Sequence, residues 1–126
     1  AEITVFTADA LTKPIDHSTF DVVYCTLFAH HLDELDVVRL LEVMALRSRK
    51  LVLVDDLIRS RIGFALAWMG TRLLSRSWVV HTDGPLSVRA ALQPDEMMSI
   101  AKQAGMKNAQ IKCSWPERYL LNWAHS

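Results

Sequence analysis

Three segments between residues 3 and 56 decide the fold: ITVFTADA (3–10), FDVVYCTLFAHHL (20–32) and KLVLVDD (50–56). Each is an apolar, β-branched run that ends in small or acidic residues. Strands buried on both faces read as continuous apolar runs, and the crevice outside their carboxyl ends is where open α/β sheets bind ligands. No glycine-rich strand-to-helix turn precedes these runs. Glycine occurs only at 63, 70, 84 and 105, never as a G-x-G cluster. The pattern is that of the later part of a nucleotide-type fold without its usual opening.

Working outward, strands are expected over residues 3–7, 20–25 and 50–55. Between the last two, Val37, Val38, Leu40, Leu41 and Met44 recur at helical spacing. Asp33, Glu34 and Asp36 suit the positive end of that helix. A helical crossover makes the two flanking strands parallel. Residues 59–76 read as a second helix, apolar almost all round through Phe64, Leu66, Trp68, Met69, Leu73 and Leu74, and in need of cover on more than one side. Residues 78–91 show no clear period, and Asp83-Gly84-Pro85 reads as a turn. A third helix starts near Gln93, with Pro94, Asp95 and Glu96 in its first turn, and ends at Gly105. Residues 110–115 and 119–123, joined by Pro116-Glu117-Arg118, form an antiparallel hairpin. The expected class is α/β: a Rossmann-like, mostly parallel sheet with a C-terminal antiparallel hairpin, in one partial domain over residues 1–126.

Composition agrees with a folded core. Of the 126 residues, 51% are hydrophobic, which argues against disorder. Fourteen basic residues balance fourteen acidic ones, so no net field draws the chain to nucleic acid or to an anionic membrane. The apolar run at 62–69 is too short to span a bilayer. Only Cys25 and Cys113 are present, so no disulfide framework is expected and a cytoplasmic location fits. No signal peptide is visible.

The stretch TADALTKPIDHSTFDVVYCTLFAHHL (7–32) resembles the class I S-adenosylmethionine-dependent methyltransferases. The matching features are Asp9-Ala10 after a strand, Pro14 a few residues later, Phe20-Asp21 opening the next strand, and His30-His31 in the loop that follows it. LVLVDD resembles that family's fifth strand, and the helix–Gly105–hairpin ending resembles its sixth and seventh. VDDLIRSRIGFALAWMG (54–70) and HTDGPLSVRAALQPDEM (81–97) look like a bacterial small-molecule branch. The likeness covers nearly all of this chain and about the last two thirds of a typical family domain. The family's glycine loop, and the strand whose terminal acid binds the ribose, have no counterpart here.

The resemblance implies a methyl transfer from S-adenosylmethionine to an oxygen, nitrogen or carbon nucleophile of a small molecule, with half of the usual cofactor site present. It assigns the adenine amino group to Asp9 and the adenine ring to the Ala10 backbone N–H. It places Cys25, Thr26 and Leu27 along the cofactor crevice. His30 or His31 could serve as general base, since imidazole titrates near neutrality, or be an ordinary pair at a helix entry. Asp21 reads as structural. Asp55 and Asp56 read as caps and ion-pair partners for Arg59 or Arg61, rather than as ligands of a hard metal ion. No zinc-type spacing is present. Trp68, His81, Arg89 and Arg118, with His31, are the candidate substrate contacts. Trp68 also reads as core or dimer surface, and His81, Arg89 and Arg118 as an ordinary polar loop.

The rival reading is a non-catalytic remnant that serves as an interaction or oligomerisation module. A sheet without its central strands leaves an open edge that must pair or be covered. Residues 3–7 are therefore expected to pair elsewhere in the chain or with another chain. A receiver-type or reductase-type doubly wound domain fits the terminal hairpin less well.

Overall fold

The computed structural model describes residues 2–5, 7–12 and 19–126. Strand β1 (Phe20–Thr26) leads through a 3₁₀ turn (Ala29–His31) into helix α1 (Glu34–Arg47), which feeds strand β2 (Ser48–Leu57). Helices α2 (Arg61–Leu74), α3 (Trp78–Ala90) and α4 (Pro94–Gln103) follow, then strands β3 (Gln110–Ser114) and β4 (Arg118–Ala124). The sheet order is β1-β2-β4-β3. β1 and β2 are parallel, as their helical crossover requires. The hairpin adds to the other edge of β2 with β4 antiparallel to it.

Local signals explain most boundaries. The Asp33 side chain caps α1 by accepting the Asp36 N–H at 2.8 Å. Gln93 and Glu96 form a capping box at the start of α4, with Pro94 in the first turn. Gly105 follows α4 at φ 89°, in the left-handed region that a glycine adopts without strain.

The core lies on one face of the sheet. Val52 and Val54 of β2 and Tyr119 and Leu121 of β4 point into it, against Val37, Leu40, Leu41 and Met44 of α1 and Met97, Ile100 and Ala101 of α4. Period-two alternation sends Val22, Tyr24, Leu51, Leu53 and Leu120 to the opposite face. That face is open: Val22 is 48% and Tyr24 55% exposed. The continuous apolar runs thus do not mean cover on both sides, as the sequence suggests.

Three further expectations are corrected. Residues 2–5 and Thr7 form no strand, and Ile3 and Val5 are 87% and 88% exposed. β propensity is realised only when a partner strand supplies hydrogen bonds and packing, and the expected pairing of this segment within the chain is not found among the described residues. Residues 13–18, which carry Pro14, lie outside the described set.

Second, Asp83-Gly84-Pro85 is not a turn: α3 runs through it, with Pro85 buried inside the helix. Packing against α2 holds the segment helical. A Cβ on Gly84 would sit 2.7 Å from Thr71 Cγ2, so glycine is what lets the two helices approach. Third, α2 is covered chiefly by α3, and Trp68, Met69, Leu73 and Leu74 remain exposed.

Candidate active site at the carboxyl ends of the strands

β1 and β2 end side by side, with Thr26 paired to Asp55. The Leu27 N–H donates to the Asp55 carbonyl at 2.9 Å. Leu27 adopts φ 50°, a left-handed conformation uncommon outside glycine. It swings the chain sharply out of the strand, and the next residues wind into the 3₁₀ turn that carries His30 and His31.

Alternation along β2 sends Asp55 and Asp56 to opposite faces. Asp56 is 1% exposed. It accepts the His30 backbone N–H at 3.1 Å, the His30 imidazole Nδ1–H at 2.6 Å and the Leu57 N–H at 2.8 Å. A carboxylate can only accept, so the proton of a neutral His30 ring resides on Nδ1 and the lone pair on Nε2. His30 is itself buried, while His31 is exposed with its ring centroid 4.0 Å from that of His30.

On the open face, Asp55 accepts two hydrogen bonds from Arg118, Nε at 3.1 Å and Nη2 at 2.6 Å. The Tyr24 hydroxyl lies 3.4 Å from the same carboxylate. The expected caps and pairs with Arg59 or Arg61 are therefore corrected. Ser60 caps α2 by accepting the Gly63 N–H at 2.8 Å, and Arg59 pairs with Glu96 at 2.7 Å. Asp21 pairs with Lys50 at 2.9 Å, which holds its carboxyl below the usual range.

The cofactor candidates fall in two places. Cys25 is half-buried on the core side of β1. Burial, and secondarily the Asp56 charge, push its thiol up to about 11, so it is a neutral packing group. Thr26 and Leu27 are exposed at the strand end. Asp9 sits in a turn in which Oδ1 accepts the Leu11 N–H at 2.9 Å and its carbonyl accepts the Thr12 N–H at 3.3 Å. Leu11 packs on the core and anchors that turn. Oδ2 of Asp9 and the Ala10 N–H make no hydrogen bond among the described residues. No hydrogen bond there joins this turn to the end of β1.

Of the substrate candidates, Arg118 is committed to Asp55. His81 donates from Nε2 to the Ser75 carbonyl at 2.6 Å and ties the α2–α3 connection. Trp68 is half-exposed beneath the Arg72 guanidinium, 4.1 Å from its ring centroid. Arg89 lines an open cavity of about 950 Å³ together with Arg59, Ser60, Arg61, Phe64, Val88 and Gln93. Sequence reasoning missed Asp56 as the partner of His30. The available signal was alternation, which places Asp56 on the face of Val52 and Val54.

This architecture is the class I S-adenosylmethionine-dependent methyltransferase fold, as superposition on solved structures shows. A candidate O-methyltransferase from Nostoc punctiforme matches with a TM-score of 0.62 at 16% identity, over 95% of this chain and 36% of that one. Human N-acetylserotonin methyltransferase in complex with S-adenosylmethionine matches at 0.61 and 13% identity, over 94% and 32%. Magnesium protoporphyrin IX methyltransferase from Synechocystis, with bound S-adenosylhomocysteine, matches at 0.57 and 12% identity, over 96% and 50%. The chain thus spans about a third to a half of the length of these proteins. No family model and no curated protein matches the sequence.

Proposed function

We propose that this chain is the later part of an S-adenosylmethionine-dependent methyltransferase for a small-molecule oxygen, nitrogen or carbon nucleophile. In this reading His30 is the general base and Asp56 its positioning residue. The observation that carries it is the buried His30–Asp56 pair at the carboxyl ends of two parallel strands, where open α/β sheets bind ligands.

The residues present suit the adenine end of the cofactor: a carboxylate oxygen of Asp9 and the Ala10 N–H have no partner among the described residues, and Thr26 and Leu27 line a strand end. S-adenosylmethionine, when bound, supplies a methyl group on an electrophilic sulfonium. His30 Nε2 takes the proton of the acceptor hydroxyl or amine. Asp56 keeps the ring oriented through Nδ1–H and stabilises the imidazolium that results. His31, exposed beside the ring, contacts the acceptor. Two free thiols, Cys25 and Cys113, fit the reducing cytoplasm.

Two measurements test this. Calorimetric titration with S-adenosylmethionine is expected to show one site that weakens on Asp9→Ala. Absence of heat overturns the cofactor assignment. In the protein that shows turnover, His30→Gln is expected to lower kcat by roughly 10²–10⁴-fold with cofactor affinity unchanged. An unchanged kcat removes His30 from the chemistry.

A second reading is favoured by the open sheet face and the outer edge of β1, which has no partner strand among the described residues and where Phe20, Val22 and Tyr24 are exposed. Here the chain is an association module that buries this surface against another copy. Sedimentation would show a dimer that Val22→Asp dissociates. A monomer at all concentrations ends this reading.

A further inference from the structure

The cavity between the start of α2 and the end of α3 holds charge that the fold does not use. Three arginines line it. Arg59 is neutralised by Glu96 at 2.7 Å, and its carbonyl accepts from the Gln93 side chain, which closes that wall. The side chains of Arg61 and Arg89 have neither an ion pair nor a hydrogen bond among the described residues. Arg61 opens α2 and Arg89 lies in the last turn of α3, so two separate helices bring two unpaired guanidiniums to one concavity. Phe64 and Val88 supply apolar wall between them.

We infer that this cavity binds an organic carboxylate with an apolar body, held by Arg61 and Arg89 and packed on Phe64 and Val88. The chemistry follows from the donors. A guanidinium presents a planar fork that matches a carboxylate bidentately, and Phe64 and Val88 offer contact to a ring or alkyl chain but no hydrogen bond. The positive end of α2 adds to the field. Helix α3 also packs against the turn that carries His30. The inference deepens the methyltransferase reading and rests on it: the acceptor is an acid, anchored in this cavity through its carboxylate.

The test is binding, which needs neither cofactor nor turnover, so its failure and that of the methyltransferase reading can be told apart. The chain is titrated with 4-hydroxybenzoate, octanoate, phenol and inorganic phosphate, with heat or amide NMR shifts as the readout. At least one of the two carboxylates is expected to bind and to shift amides of residues 59–64 and 88–93, and phenol to bind at least tenfold more weakly than 4-hydroxybenzoate. The double variant Arg61→Gln/Arg89→Gln is expected to lower carboxylate affinity by at least tenfold. Both side chains are exposed, and glutamine keeps the helices, which circular dichroism confirms. Failure of both carboxylates to bind, binding unaffected by the double variant, phenol binding as tightly as 4-hydroxybenzoate, or phosphate alone binding overturns the inference.

Discussion

Asp55 and Asp56 leave the end of β2 in opposite directions, and the two sides of the sheet they enter differ in kind. Asp56 faces the core packed by α1 and α4, is 1% exposed, and collects three N–H donors around His30. Asp55 faces the open side and meets Arg118, with about a quarter of both side chains in contact with water. The same residue type, one position apart, orients a candidate base on one side and a surface ion pair on the other. Burial sets the difference: a carboxylate removed from water must be fully hydrogen-bonded, whereas an exposed one is solvated whether paired or not.

The sharpest way to break this comparison is to remove each aspartate. Asp56→Ala strands the His30 ring and two backbone N–H groups and is expected to cost about 3–5 kcal/mol. Asp55→Ala is expected to cost about 1 kcal/mol or less, after allowance for solvent screening of its pair. Equal losses in urea unfolding would mean that the two faces are equally dry. The neighbouring leucines of β4 repeat the experiment without charge. Leu121, fully buried, is expected to lose about 2–5 kcal/mol on truncation to alanine. The half-buried Leu120 on the open face should lose about 1 kcal/mol.

The cysteines sharpen the contrast kinetically. Cys113 is exposed, while Cys25 lies on the core side with its thiol pushed up to about 11. Iodoacetamide at pH 8 is expected to label Cys113 at least roughly tenfold faster, because the thiolate is the nucleophile. Comparable rates, followed by mass spectrometry, would show that the core side is open to water.

The smallest effect concerns pH. The Gln93 N–H and then Arg59 hold the Glu96 carboxyl below its ordinary value. A carboxyl with a lowered folded pKa stabilises above its unfolded value, and that contribution is lost as pH falls through the folded value. Glu96→Gln should therefore reduce Tm at neutral pH by an amount worth under about 1 kcal/mol, and the difference should vanish below the titration range of Glu96. A difference that persists in acid would locate the effect in packing.

Much of this structure is written in local pattern. The continuous runs at β1 and β2, the heptad-like spacing of α1, the Pro94–Glu96 start of α4 and the Pro116-Glu117-Arg118 connection each follow from periodicity or capping. The failures share a cause. Residues 3–7 have strand composition but no strand neighbour among the described residues. Gly84-Pro85 has turn composition, yet α2 packs against it as a helix, with Thr71 within 3 Å of the position a Cβ would take. In both, a partner distant in sequence outweighs local preference.

The candidate site divides the same way. The histidine pair after a strand, and acids at the strand ends, could be read from the residues. Which acid meets His30 depends on β1 and β2 lying parallel, in the register that pairs Thr26 with Asp55. Which arginines of the α2–α3 cavity lack a partner among the described residues depends on Glu96 reaching Arg59 across 37 residues.

By itself the sequence therefore determined the order of most elements, the α/β class and the end of the sheet that carries the candidate site, because these rest on periodicity and on residue type at strand ends. Only the tertiary structure decided which side of β2 is dry, that Asp56 rather than Asp55 holds His30, and that Arg61 and Arg89 share one cavity. Those outcomes rest on distances between residues remote in the chain: alternation along β2 separates Asp55 from Asp56, but which face is covered depends on where α1 and α4 pack.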